Sequence, residues 1–439
     1  MITDSPTATL SLRQRLFFAL VALLPLHTVY FQAWISWKPW LIVLAVLLGM
    51  HAVEGIRIRT WPWHPVLSVA ITVFLVAVAA SWSGAAAERY LRLLLALVVG
   101  SGVLLATERE LREPGAPERT MRVIFWSAAA IAATAVVLAL LSVGVAGESA
   151  VYDINDVPGI DRVALNVYRA EGMVAVTNWH QDPGYAAAWM NLWAVLAALA
   201  ALRGLGSGRK WLDALVVGGV WLGVVMTLSR TGLLDMLVAG AAVMWRERAR
   251  ERRGPALRLG FSALLATAAL IAGTWAVDPP GVAGDLSTGL AFRFDQGLSL
   301  GPGEIDPDRG GVANDSRSEV WPIYVDLFRD NPIRGVGLGT GWANLIQEPH
   351  NLVLELLGET GIIGFAGFVL LLTTILRRAH NPVGRTALVV ALATSITQTV
   401  LFEPTWWLAA ALAVSRPVDS PQATVHSKRI QHASLAVDC

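Results

Sequence analysis

Long apolar runs, separated at regular intervals by short polar stretches, dominate this chain. About twelve of them, most roughly 15–25 residues long, suit helices that cross a membrane. They fall at 15–33, 39–54, 64–82, 90–107, 123–143, 184–202, 211–228, 231–245, 257–276, 350–376, 384–401 and 404–415, the last being short. Basic residues occupy every second connection: Arg57 and Arg59, then Arg109 to Arg122, Arg203 to Lys210, Arg246 to Arg253, and Arg377 to Arg385. Basic residues are retained on the cytoplasmic side of a membrane. The alternation therefore predicts cytoplasmic termini, and it supports the span count independently of hydropathy.

Two of the outward connections are long, 144–183 and 277–349. The second contains D-P-P-G-V-A-G-D and S-L-G-P-G-E-I-D-P-D-R-G-G, which read as turns and irregular chain. Further along, Val320, Trp321, Ile323, Tyr324, Leu327 and Phe328 recur at helical spacing. They predict an amphipathic helix lying on the membrane or packed on the bundle. Ser316 and Glu319 have the spacing of a capping box, Pro322 disturbs the first turn, and Asn331-Pro332 ends the helix. The expected organisation is helices 1–9 over 1–276, including the shorter outward segment, a large outer loop over 277–349, helices 10–12 over 350–416 and a cytoplasmic tail over 417–439.

Composition narrows the class. The chain has 439 residues, 55% hydrophobic and only 15% charged, with a mean hydropathy of +0.54. These values predict an all-α integral membrane protein. A net charge of +1 leaves no basic surface for nucleic acid. The one cysteine, Cys439, excludes disulfides and cysteine metal sites within a chain. Arg13 and Arg15 precede the first run without an obvious cleavage site, so a retained first helix is expected.

Two residues stand out chemically. His350 follows Pro349, which suits the first position of a helix, and so is expected in the first turn of a long span. There the helix dipole favours a neutral imidazole and attracts phosphate. It reads either as a general base at a diphosphate site or as an interfacial residue capping the helix. Arg230, in L-S-R-T-G-L-L, lies at an outer helix tip, where the charge bias leaves arginine scarce. It either snorkels to lipid headgroups or holds a fixed anion with its planar fork of donors. Arg317 and Arg293 in the large loop are candidates for the same clamp, though each alone reads as a solvated charge.

Glu355 and Glu359 share one stripe of the last long span and fit bracing better than catalysis. The recurring Gly358, Gly361, Gly364 and Gly367 fit close helix–helix approach. His180, in W-H-Q-D-P, is a possible substrate contact. G-V-G-L-G-T-G at 335–341 lacks a P-loop lysine and reads as a flexible hinge that places His350. Asp306-Pro307-Asp308 has metal-like D-x-D spacing but reads as a turn, so no metal site is expected. No Ser-His-Asp arrangement or H-E-x-x-H is present.

Three patterns together resemble the O-antigen ligase and polymerase superfamily of bacterial envelope enzymes. They are L-S-R-T-G with Leu234 four residues beyond Arg230, the run N-P-I-R-G-V-G-L-G, and His350 ten residues before Gly361. Their order along the chain and the late outer loop agree with that family. The resemblance implies an inverting, metal-independent glycosyltransferase of the GT-C type in the inner membrane, with a periplasmic active site and no cofactor. The donor would be a glycan on undecaprenyl diphosphate and the acceptor a lipid A–core hydroxyl. It implies further that His350 activates the acceptor and that Arg230, with a loop arginine (Arg317, then Arg293), holds the diphosphate. A polymerase of the same superfamily and a protein O-oligosaccharyltransferase are the enzyme alternatives. A lipid-linked-glycan transporter is the non-enzymatic one.

Overall fold

The computed structural model describes residues 10–26, 29–32, 36–84, 86–143, 152–153, 162–170, 173–178, 183–227, 229–248, 253–277, 317–341 and 348–417. The apolar runs form helices: α1 (Leu12–Leu23), α2 (Pro39–Ile58), α3 (Pro65–Ala79), α4 (Ala87–Glu110), α5 (Ala116–Val143), α6 (Pro183–Leu202), α7 (Lys210–Met226), α8 (Arg230–Arg248) and α9 (Arg253–Val277). The amphipathic stretch is α10 (Arg317–Asp330), and among the described residues three more α-helices follow: α11 (Leu352–Arg377), α12 (Pro382–Thr394) and α13 (Pro404–Val414).

Among the described residues, five helical stretches are long and apolar enough to cross a membrane: Pro39–Ile58, Ala87–Glu110, Ala116–Val137, Gly184–Leu202 and Leu352–Arg377. Three shorter ones, α3, α12 and α13, are also apolar. This is the architecture of a multi-pass membrane protein.

The first run departs from expectation. The helix stops at Leu23 instead of continuing to 33, because Pro25 cannot continue it. The apolar residues beyond form β1 (Val29–Gln32) and β2 (Ser36–Trp37). With β3 (Tyr152–Asp153), β4 (Arg162–Ala170) and β5 (Met173–Asn178) they build a small antiparallel sheet in the order β2-β1-β4-β3, with β5 on β4. The helical class therefore carries a strand element that the apolar pattern does not signal.

Ion pairs and an arginine–histidine hydrogen bond fasten one end of the bundle. Arg13, at the start of α1, reaches Glu54 of α2 at 2.7 Å and Glu110 at the end of α4 at 2.8 Å. At the end of α11, Arg378 sits 2.7 Å from the His64 ring nitrogen that precedes α3. Arg203 and Glu247, both fully buried, pair at 3.3 Å where α6 and α8 end. At the opposite end, the starts of α4 and α6 meet the segment ahead of α11, where Arg89 and Tyr185 both bond Glu348. Near the start of α2, Lys38 lines a cleft of about 300 Å³ with Arg92 of α4 and Glu403. Burial there pushes the Lys38 ammonium down to about 8, although the Glu403 charge opposes the shift.

Candidate functional site

The site grows from the start of α11. The Asn351 side chain accepts hydrogen bonds from the backbone N–H groups of Val353 (3.0 Å) and Leu354 (3.1 Å), so asparagine is the N-cap. His350 therefore lies one residue ahead of the cap and outside the helix, which corrects the expected first-turn placement. Its backbone is left-handed (φ 48°), a conformation that costs a non-glycine residue roughly 1–2 kcal/mol.

Five contacts hold this strained turn. The Trp321 indole of α10 donates to the Pro349 carbonyl at 2.8 Å. The Asn351 amide donates to the Ile396 carbonyl at 3.2 Å. The Glu348 carboxylate pairs with the Arg89 guanidinium through one oxygen and accepts from the Tyr185 hydroxyl through the other. The Tyr185 ring meets the His350 ring edge-on, with centroids 5.9 Å apart and planes at 62°.

Arg230 is the first residue of α8, at the same end of the bundle. Two chains of contact connect it to His350. Through α6, Tyr185 touches His350, while Asn191 donates to the Gly232 carbonyl in the first turn of α8 at 2.9 Å. The helices nearly touch there, since a Cβ on Gly232 would lie 2.3 Å from that of Ala187. Through the segment after α12, the Leu352 N–H donates to the Ser395 carbonyl at 2.9 Å, and the Thr397 hydroxyl donates to Asp235 of α8 at 3.0 Å. One polar end of the helix bundle thus carries both residues.

The other candidates separate. Arg317 is the first residue of α10, and its side chain lies outside the described residues. Arg293, His180 and the Asp306-Pro307-Asp308 turn also lie outside them. Glu359 is buried, and its carboxylate accepts the backbone N–H groups of Gly339 (2.6 Å) and Gly341 (3.1 Å). The glycine run is therefore not a free hinge. With positive φ at Gly335, Gly337 and Gly339, it wraps around a break in α11. At that break Gly361 leaves the helix (φ 62°, ψ −166°), and the released N–H groups of Ile362 and Ile363 bond the Pro332 and Ile333 carbonyls at 2.9 and 3.3 Å. A broken helix at membrane depth is tolerated where protein satisfies its backbone. Of the glycine ladder, Gly358 meets α10 at Tyr324 and Leu327, and Gly367 meets α3 at Phe74 and Ala77.

Glu355 is buried one turn below the cap. Its neighbour Tyr324 is sealed between Gly341 and Gly358. Burial and the charges of Glu359, Glu355 and Glu348 all push the Tyr324 phenol up. Away from this end, a wholly apolar cavity of about 310 Å³ opens between α6, α7, α8 and α9, lined by Val217, Trp221, Val243, Leu257 and Phe261. Along α8 it begins at Ala239, nine residues or about 14 Å past Arg230.

Sequence reasoning did not single out Glu348, Arg89 or Tyr185. Arg89 carried a usable signal: like Arg230, it is an arginine at a helix end predicted to face outward. Tyr185 carried none.

The structure thus combines a multi-pass helical body with an imidazole, guanidinium groups and carboxylates at one end of its bundle. Residues 214–369, from α7 into α11, match the family model described as O-antigen ligase, a region that includes both Arg230 and His350. The match supports the O-antigen ligase superfamily and, with it, ligase- or polymerase-type glycosyl transfer. No curated protein matches the chain.

Proposed function

We propose that this protein is an O-antigen ligase that moves a polymerised glycan from undecaprenyl diphosphate to a hydroxyl of the lipid A–core oligosaccharide. Twelve crossings, cytoplasmic termini and a periplasmic site in the inner membrane belong to the same reading. His350 takes the proton of the acceptor hydroxyl as its oxygen bonds the anomeric carbon from the face opposite the diphosphate. The bond from that carbon to the diphosphate oxygen breaks, with inversion, and undecaprenyl diphosphate leaves. Arg230 meets the charge that builds on the departing oxygen, and a loop arginine, Arg317 or Arg293, adds a second guanidinium. Fixed cations in a site shielded from water perform the role that a divalent metal plays elsewhere. The apolar cavity beyond Arg230 suits part of the isoprenoid tail.

The observation that carries this reading is the gathering of Arg230 and His350 at one end of the bundle, inside the matched region. The test is transfer from lipid-linked glycan to purified lipid A–core by His350→Ala and Arg230→Ala proteins that still insert. Both should lose transfer, by about 10²–10³-fold or more for the arginine. Wild-type turnover in either variant refutes its role. A chelator should leave the rate unchanged, and inhibition reversed by Mn²⁺ would count against metal independence. In cells lacking the protein, long glycan stranded on its carrier identifies a ligase. Core capped by a single repeat identifies the polymerase instead.

A further inference from the structure

The turn that presents His350 is held by a charged clamp, and this inference rests on the glycosyl-transfer reading of that histidine. We propose that Glu348 is a positioning residue for the His350 imidazole, set in place by Arg89 of α4 and Tyr185 of α6. Both carboxylate oxygens are engaged, each by a different helix. Between Glu348 and His350 lies only Pro349, whose φ is fixed by its ring and whose carbonyl is held by Trp321. A displacement of the carboxylate therefore passes to His350 through one stiff residue.

Tyr185 acts on both sides of that residue. Its hydroxyl fixes Glu348 and its ring flanks the imidazole. The left-handed backbone at His350 supplies the reason a clamp is needed. Released, this residue relaxes to an extended conformation, and the imidazole swings away from the acceptor. The clamp touches the histidine's surroundings and not the donor, so it governs turnover and leaves donor binding alone.

The experiment compares Glu348→Gln, Glu348→Ala, Tyr185→Phe, Arg89→Ala and the charge swap Arg89→Glu/Glu348→Arg with His350→Ala. Each purified protein is assayed with undecaprenyl-diphosphate-linked glycan and lipid A–core. Misplacing a catalytic group by about 1 Å costs on the order of 10²-fold. Glu348→Ala should therefore lower kcat by about that factor while the KM for donor stays within about twofold. Glu348→Gln and Tyr185→Phe, which each keep part of the clamp, should fall between it and wild type. The charge swap should exceed both Arg89→Ala and Glu348→Ala in kcat.

A purely structural role predicts less folded protein but wild-type kcat per folded molecule, and that result overturns the proposal. So does a rise in donor KM with kcat unchanged. An inactive His350→Ala beside fully active Glu348 variants rejects the clamp alone. A fully active His350→Ala rejects the transfer reading beneath it.

Discussion

Glu359 is the point at which the glycine run, the break in α11 and the start of that helix are tied together, so its removal should be costly in a predictable order. Glu359→Ala strands the Gly339 and Gly341 N–H groups, both bonded to the carboxylate in a buried setting. Each unpaired buried donor costs about 1–3 kcal/mol, which gives about 2–6 kcal/mol for the pair. Glu359→Gln retains one acceptor oxygen and turns an amide toward the other N–H, which gives about 1–3 kcal/mol. Thermal unfolding of detergent-purified protein, followed by emission from the buried Trp193, Trp406 and Trp407, reads this difference. At about 2 °C per kcal/mol for a long chain, the apparent midpoint should fall by about 4–12 °C for alanine and about 2–6 °C for glutamine. All variants are compared at one scan rate, because such unfolding is commonly irreversible. An alanine midpoint within about 1 °C of wild type, or a glutamine variant less stable than alanine, would sink the reasoning.

Three further outcomes follow from the same geometry. Gly361→Ala should fail to accumulate as folded protein, because its φ of 62° and a Cβ placed 2.5 Å from the Ile333 carbonyl are both intolerable; normal yield and midpoint would contradict this. Tyr324→Phe should leave stability unchanged or raise it by about 1 kcal/mol, since the buried hydroxyl has no hydrogen-bond partner among the described residues. A clear fall in midpoint would mean that the hydroxyl is bonded. Lys38 should react with a small acylating reagent along a pH curve whose midpoint falls near pH 8, because its depressed value leaves about half the amine neutral there. An ordinary lysine amine keeps gaining reactivity toward about 10.4. A Lys38 curve that rises in parallel with Lys210, read by peptide mass spectrometry, would count against the buried ammonium.

Much of the helical framework was legible because length and apolarity alone decide which segments need a helix in a bilayer. The amphipathic face of α10 was equally plain, with Val320 and Tyr324 turned inward. The first run was overextended because Val29, Tyr30 and Phe31 are as apolar as a helix requires. Pro25 held the correcting signal. His350 was placed inside the first turn because Pro349 was read as the first helical position, while Asn351, two residues further on, is the cap. Gly335, Gly337 and Gly361 announced unusual backbone without saying what it embraced, since only the tertiary fold brings the loop to Glu359. Arg89 and Tyr185 lie 259 and 163 positions from Glu348, a separation that no local pattern spans.

The helices that carry Tyr185 and Arg230 are locked to one another twice. At one extremity Ala187 seats against Gly232, and at the other the sequestered Arg203–Glu247 couple joins their tails. Such a doubly bolted pair tilts as one plank. An opening at the Tyr185 and Arg230 end that parts these two helices would have to break both bolts.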